Sequence, residues 1–154
     1  MSTRPHLART WAPGPRALWV LHSPSTADDA RDDPTLRRLL AFSRAWGLGG
    51  LDVLNLFCWR ATRPADVVAA WRAGHDVVGR ADRDRRLADL APAAAVVIVG
   101  WGSLRRPSPE DRAVAALLAA LAVTPRCLGH TRDRQPRHPL YVAAATPLEP
   151  WTSP

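Results

Sequence analysis

Two short apolar runs constrain the fold of this chain more than any other feature of its sequence. Residues 17–21 and 93–100 are continuously apolar and lack the alternation expected of a strand with one face in water. Such runs indicate strands that are covered on both faces, as in a parallel sheet. Each run is far shorter than the roughly 20 apolar residues of a membrane-spanning helix. The sequence therefore predicts a domain built on a buried sheet, with no membrane association.

Helical patterns alternate with these runs along the chain. Asp33 and Pro34 are typical of an N-cap and a first helical position, and glycines at positions 47, 49 and 50 end that helix. Strands are also expected at residues 51–57 and 126–129, and helices at residues 64–71, from about 76 to 90, and after Ser108. Strands that alternate with helices predict an α/β fold, namely a three-layer α/β/α sandwich whose mostly parallel sheet has about four strands.

One domain is expected over residues 16–148. Residues 1–15 contain several prolines and Gly14, which predicts an extended and loosely held N-terminal arm. A chain of 154 residues is long enough to bury a core without disulfides. Cys58 and Cys127 lie far apart and match no zinc or iron–sulfur spacing. Both are therefore expected to be free thiols in a reducing cytoplasm, and no metal or cofactor is expected.

The charge balance favours acidic partners. The net charge is +7, and every basic residue other than histidine is an arginine, because the chain has no lysine. Arginine-rich surfaces attract phosphate, which favours a nucleotide or nucleic-acid partner. A chain that is rich in Ala, Arg and Pro and lacks lysine also fits a compositional bias of its gene, so both interpretations stay open.

Four loops follow the expected strands, at residues 22–33, 55–63, 100–108 and 130–139. Loops after parallel strands converge at one edge of the sheet, where open α/β sheets bind ligands. Asn55, the one asparagine in the chain, ends the second expected strand. A carboxamide both donates and accepts hydrogen bonds, so Asn55 is a candidate for reading the edge of a nucleobase. A turn asparagine is the simpler alternative.

The other loops contain further candidate groups. Hydroxyls and amides of residues 23–25 can bind a phosphate or a water, and the aspartates between residues 28 and 33 either bind magnesium or cap and solvate the loop. Gly100 and Gly102 either let a ligand approach the backbone or form a tight turn. The histidines and arginines of residues 130–138 either donate to a ligand or are solvated. Serine-hydrolase, Walker A and dinucleotide-binding patterns are absent from the sequence.

Several stretches together indicate a family relationship. They are residues 24–28, 32–38, 46–50, 55–57, 60–62 and 136–141, within residues 18 to about 148. With these stretches the chain resembles an uncharacterised bacterial domain-of-unknown-function family, the one numbered sixteen forty-three. More distantly, the order of its loops resembles the uracil-DNA glycosylase superfamily.

The resemblance to the glycosylase superfamily implies roles for particular residues. That superfamily has a water-positioning residue before a proline, a strand-end asparagine that reads the base, a Trp-Gly-Ser after a buried strand, and a late His-Pro. The matching positions are Ser23-Pro24, Asn55, Trp101-Gly102-Ser103 and His138-Pro139. The expected catalytic residues are His138, Ser23 and His22. The expected substrate-binding residues are Asn55, Pro24, Ser25, Phe57, Trp101, Gly102, Ser103 and Arg137.

Two classes of function are expected. The first is binding of a nucleobase, as a nucleoside, nucleotide or flipped DNA base, with hydrolysis of its N-glycosidic bond left open. Ser23 stands where the superfamily has Asp or Asn, and a hydroxyl is a poor general base near pH 7, so His22 is the alternative base. The second is a non-catalytic nucleic-acid-binding module that inserts Leu140 or Tyr141 between bases. Magnesium-assisted phosphate chemistry at residues 28–33 is a lesser third.

Overall fold

The computed structural model describes residues 3–25, 27–61, 63–104 and 108–154. Within them the chain forms six strands, four α-helices and a 3₁₀ turn at Pro139–Tyr141. The strands are β1 (Leu7–Thr10), β2 (Arg16–Leu21), β3 (Gly50–Asn55), β4 (Val96–Val99), β5 (Arg126–Cys127) and β6 (Glu149–Pro150). The helices are α1 (Pro34–Ala45), α2 (Pro64–Arg72), α3 (Arg80–Leu90) and α4 (Pro109–Ala120). Helices separate successive strands from β2 to β5, so the expected α/β class is confirmed.

A mixed sheet joins these strands in the order β1-β3-β2-β4-β5-β6. The pairs β2 with β3, β2 with β4 and β4 with β5 are parallel, whereas the edge strands β1 and β6 pair antiparallel with β3 and β5. The apolar run of residues 17–21 lies in β2, which has a hydrogen-bonded strand on each side. The carboxyl ends of β2, β3 and β4 therefore lie at the same edge of the sheet.

Strand β2 supplies side chains to two hydrophobic cores. Trp19 and Leu21 pack with α1 on one face, where Trp19 stacks on Trp46 with ring centroids 5.6 Å apart. Leu18 and Val20 pack with residues of α3 and α4 in the other core. Because successive residues of a strand point to opposite faces, burial of both faces requires a continuous apolar run.

Helix starts follow the caps that the sequence indicates, with one shift. Asp33 caps α1 and Ser108 caps α4, each through a hydrogen bond from a backbone N–H of its own first turn. Helix α3 begins at Arg80 instead of near residue 76. The residues just before Arg80 form a turn, in which the carboxylate of Asp76 accepts the N–H of Gly79. Gly79 has a φ of 66°, outside the helical region.

The edge strands were not foreseen from the sequence. β1 lies within the expected loose arm, yet it pairs with β3 from Leu7 opposite Val53 to Thr10 opposite Gly50. β6 lies after the expected domain of residues 16–148, so the sheet has six strands instead of about four. Strands of four and two residues are too short to show a hydrophobic period. The division into an arm at residues 1–15 and a domain at residues 16–148 stays a prediction.

Further findings concern the cysteines, the helices and the loops. Cys58 and Cys127 are buried free thiols, as expected. Of the helices in the described residues, none combines the length and apolar character needed to cross a bilayer. Thr26, Thr62 and residues 105–107, which belong to the expected loops, lie outside the described residues.

Candidate functional site

Asn55 lies at the carboxyl end of β3 and is a strand residue, not a turn residue. It is 5% exposed, and its side chain lines a small cavity together with Ser23 and Ser25, while Pro24 between them is buried. Oδ1 of Asn55 is buried and has no hydrogen-bond partner among the described residues. A buried acceptor left unpaired typically costs about 1–3 kcal/mol, so purely structural residues seldom carry one. A ligand or a water molecule in the cavity would complete the hydrogen bonding of this acceptor.

Arg4, from the N-terminal segment, lines the same cavity. Its guanidinium donates to Oγ of Ser25 at 3.3 Å and to the carbonyl of Ala27, whereas its Nε has no partner within the described ranges. Its backbone N–H donates to the carbonyl of Cys58 at 2.8 Å. The cavity measures about 10 Å³, the space of roughly one water molecule. Arg4 was not predicted as a site residue, because it reaches this edge through pairing of the arm with β3 and with the loop that follows β3, which no local pattern indicates.

His22 follows β2 directly, and its ring lies against Phe57 with centroids 5.0 Å apart. The N–H of Phe57 donates to the His22 carbonyl at 3.0 Å, which ties the loop after β3 to the loop after β2. His22 is exposed, yet desolvation by the surrounding protein lowers its pKa from the ordinary 6.5. The imidazole is therefore neutral near pH 7, and one ring nitrogen is able to accept a proton.

His138 precedes the 3₁₀ turn, and its ring is oriented by that turn. Nδ1 accepts a hydrogen bond from the N–H of Leu140 at 3.2 Å. Burial, and secondarily the charge of His22, lowers the pKa of His138 from 6.5. In a neutral ring whose Nδ1 accepts, the proton is on Nε2, so Nε2 is a donor. One histidine comes from the first loop and one from the fourth, and protonation of His22 disfavours protonation of His138.

Glycines after β4 allow the fourth loop to approach the strand ends. A Cβ at Gly100 would lie 3.2 Å from Cδ of Pro139 and 3.3 Å from Cδ2 of Leu21. A Cβ at Gly102, where φ is +78°, would lie 3.5 Å from Cβ of His138. Leu21 also lines the cavity beside Asn55. The glycines therefore bring His138 and Pro139 next to the carboxyl ends of β2 and β4.

Other expected binding residues lie outside the cavity lining. Trp101 is 3% exposed, and its indole N–H donates to Oε1 of Gln135 at 2.8 Å within the core. Ser103 donates to a carboxylate oxygen of Asp133 at 3.0 Å, and Arg137 is exposed. The burial of Trp101 depends on partners that come from the fourth loop and the chain end, which the sequence pattern does not reveal. Three rings, Phe57, Trp59 and Trp101, are candidates for stacking on a base; Trp59 and Trp101 are buried, whereas Phe57 is half-buried and lies at this edge.

Three aspartates of the first loop, Asp28, Asp32 and Asp33, have structural partners. Asp33 caps α1 through Oδ1 and accepts the N–H of Ala27 through Oδ2. Asp28 accepts two N–H groups of its own turn, which lowers its pKa, and Asp32 pairs with Arg9. These contacts favour capping and solvation over the magnesium alternative.

A buried ion pair holds the loop after β3. Nη1 of Arg83 donates to Glu110 at 2.8 Å and to the carbonyl of Leu56 at 2.9 Å. Burial raises the pKa of Glu110, but hydrogen bonds from Arg80 and Arg83 outweigh burial and lower it overall. The pair therefore connects α3 and α4 to the residue that follows Asn55. In the sequence, Arg83 is one of several arginines that alternate with aspartates along α3, and that pattern does not indicate that it positions this loop.

A larger depression lies elsewhere on the molecule. It has a volume of about 640 Å³ and is lined mainly by alanines of α4 and by the chain end with Trp151. Arg112 is the one charged residue in its described lining. It brings together neither histidines nor carboxylates, so the chemistry-bearing residues point to the edge near Asn55 as the candidate site.

Comparison with known protein families shows to which family the chain is related. Residues 4–140 match the family model described as Protein of unknown function (DUF1643). The chain belongs to the DUF1643 family. The match extends from Arg4 through Asn55 to His138, so it includes the residues of the candidate site. No curated protein and no solved structure matches the chain.

Proposed function

We propose that this DUF1643 protein binds a nucleobase, carried by a nucleoside, nucleotide or DNA strand, and hydrolyses its N-glycosidic bond. The observation that carries this proposal is the buried Oδ1 of Asn55, for which the described part of the chain provides no hydrogen-bond partner. Nucleobase edges present N–H donors beside acceptors, and a carboxamide complements both. A three-layer sandwich like that of the uracil-DNA glycosylase superfamily is the fold that goes with this proposal.

His138 is the proposed donor to the departing base. Breaking the bond leaves negative charge on the base, and a donor aimed at the base oxygen stabilises that charge. Removal of one such donor typically costs on the order of 10²–10³ in rate. The hydrogen bond from Leu140 and the lowered pKa support a neutral ring with a proton on Nε2.

His22 is the proposed base that activates water. The hydroxyl of Ser23 is a poor proton acceptor near pH 7, whereas a neutral imidazole is a good one. The lowered pKa of His22 supports the neutral form. Phe57, in contact with His22, is the proposed stacking surface for the base.

Binding of a base requires Arg4 to move. The cavity of about 10 Å³ is far smaller than ligand pockets, which commonly measure about 300–1,000 Å³. Arg4 is held by hydrogen bonds to Ser25, Ala27 and Cys58, all from loops at the same edge. We therefore assign the segment that carries Arg4 the role of a cover over Asn55.

A second function, non-catalytic nucleic-acid binding, is favoured by the surface beside His138. Tyr141 is 78% exposed and Leu140 is 37% exposed, and apolar side chains in such positions can insert between bases. Three exposed arginines lie just before them in the chain, at positions 132, 134 and 137. Such a module would bind DNA or RNA and leave the glycosidic bond intact.

Assays on a panel of nucleosides, nucleotides and base-modified DNA separate the two functions. Release of free base that is lost in Asn55→Ala and His138→Ala supports the hydrolase. His75→Ala is a matched control, because this exposed histidine contacts Trp59 and not the cavity. DNA binding that weakens steeply with salt, without base release, supports the module. Absence of both release and binding contradicts both functions.

A further inference from the structure

A second cluster of reactive side chains lies where β5 pairs with β6, outside the candidate site. Cys127 of β5 is directly opposite Glu149 of β6 in antiparallel register. Directly opposed residues of antiparallel strands project to the same face. His130 follows shortly after Cys127, beyond Gly129 with its φ of +107°. The strand pairing thus brings together side chains that are distant in the sequence.

The three side chains are close enough to share one ion. Nδ1 of His130 lies 2.5 Å from Oε1 of Glu149, and Nε2 of the same ring lies 3.9 Å from Sγ of Cys127. One donor atom from each residue lies within 4.8 Å of the other two. Donor atoms around tetrahedral zinc are roughly 3.3–3.6 Å apart, which follows from bonds of about 2.1 Å to nitrogen or oxygen and 2.3 Å to sulfur. Because the ion takes only one nitrogen of His130, and Nδ1 faces Glu149 while Nε2 faces Cys127, zinc binding requires the exposed side chains of His130 and Glu149 to rotate so that one ring nitrogen and the carboxylate turn toward Sγ of Cys127.

We propose that Cys127, His130 and Glu149 bind one zinc ion, with water completing the coordination. A thiolate, an imidazole and a carboxylate together suit the borderline-soft Zn²⁺, whereas Mg²⁺ and Ca²⁺ prefer oxygen ligands alone. Cys127 is fully buried and provides a fixed ligand at the sheet. The ion would fasten β6, a strand of two residues, to β5.

Zinc binding to the full chain, without a histidine tag, tests the proposal. Wild-type protein is expected to bind one equivalent of Zn²⁺ in competition with a chromophoric chelator. With Co²⁺ it is expected to show the charge-transfer absorption of a cobalt–thiolate bond. Cys127→Ser should remove this absorption, and Cys127→Ser or His130→Ala should lower zinc affinity on the order of a hundredfold. Cys58→Ser is the matched control, because it removes the other buried free thiol.

Three outcomes would overturn the proposal. Wild-type protein that binds no stoichiometric zinc leaves His130 and Glu149 as an ordinary ion pair. Loss of the cobalt–thiolate absorption in Cys58→Ser, with retention in Cys127→Ser, puts the ion at the other thiol. Unchanged zinc affinity in both His130→Ala and Glu149→Gln also excludes the site. These last two substitutions change exposed side chains, so they test the proposal even where Cys127→Ser fails to fold.

Discussion

The backbone N–H of Leu140 donates a hydrogen bond to Nδ1 of His138 at 3.2 Å. This bond makes Nδ1 the acceptor of the neutral ring, so Nε2 carries the proton. The 3₁₀ turn that begins at Pro139 thereby selects one tautomer of the preceding histidine. In this tautomer, Nε2 is the atom through which the ring of His138 donates a hydrogen bond.

Because His22 and His138 have lowered pKa values, we expect the free energy of unfolding to depend on pH. Both His22 and His138 have a pKa below the ordinary 6.5 in the folded protein. On acidification the unfolded chain binds protons first, so the free energy of unfolding is at its full value above about pH 6.5 and falls as the pH drops through the folded pKa values. Urea denaturation between about pH 8 and pH 5 measures this, and His138→Gln should reduce the loss. A stability that rises on acidification in this range would contradict the prediction.

Asn55→Ala is expected to separate binding from stability. The substitution removes a buried acceptor that has no partner among the described residues, so the free energy of unfolding should fall by less than about 1 kcal/mol. Nucleobase binding, measured by calorimetry, should be lost. A large loss of stability together with unchanged binding would instead make Asn55 a structural residue.

Arg4→Ala is expected to open the cavity beside Asn55. Loss of the guanidinium leaves the carbonyl of Ala27 without that donor, which should lower the free energy of unfolding by about 1–3 kcal/mol. Removal of the cover should at the same time strengthen nucleobase binding. Calorimetric titration decides the sign, because weaker binding by the variant would identify Arg4 as a ligand contact and not as a cover.

Gly100→Ala is expected to displace His138. The new Cβ would meet Pro139 at 3.2 Å and Leu21 at 3.3 Å, and overpacking of this kind typically costs about 1–3 kcal/mol. Base release should fall at least about tenfold, in line with a donor moved from its position. Gly74→Ala is the control, because it strains a backbone with φ +87° in open space and should leave base release unchanged. Equal losses in both variants would argue against close packing at Gly100 as the cause.

Local patterns explain which elements were predictable. An apolar run such as residues 17–21 and a helix cap such as Asp33 each involve only a few neighbouring residues. For that reason β2 and the start of α1 were correctly expected. Trp101 stays a predicted substrate-binding residue, and the structure adds that its indole packs edge-on against Trp151 and donates to Gln135. No pattern near Trp101 contains those partners, since they come from other parts of the chain.

By itself, the sequence determined the α/β class, the central strands and the position of Asn55 at a strand end, because periodicity and capping depend on neighbouring residues. Tertiary structure alone decided that Oδ1 of Asn55 is unpartnered within the described chain and that Arg4 lines the cavity beside it. It also decided that Cys127 meets Glu149 across the edge strands. Each of these relationships depends on pairing between segments far apart in the chain. Strands as short as β1 and β6 contain too few residues to show a hydrophobic pattern that would predict such pairing.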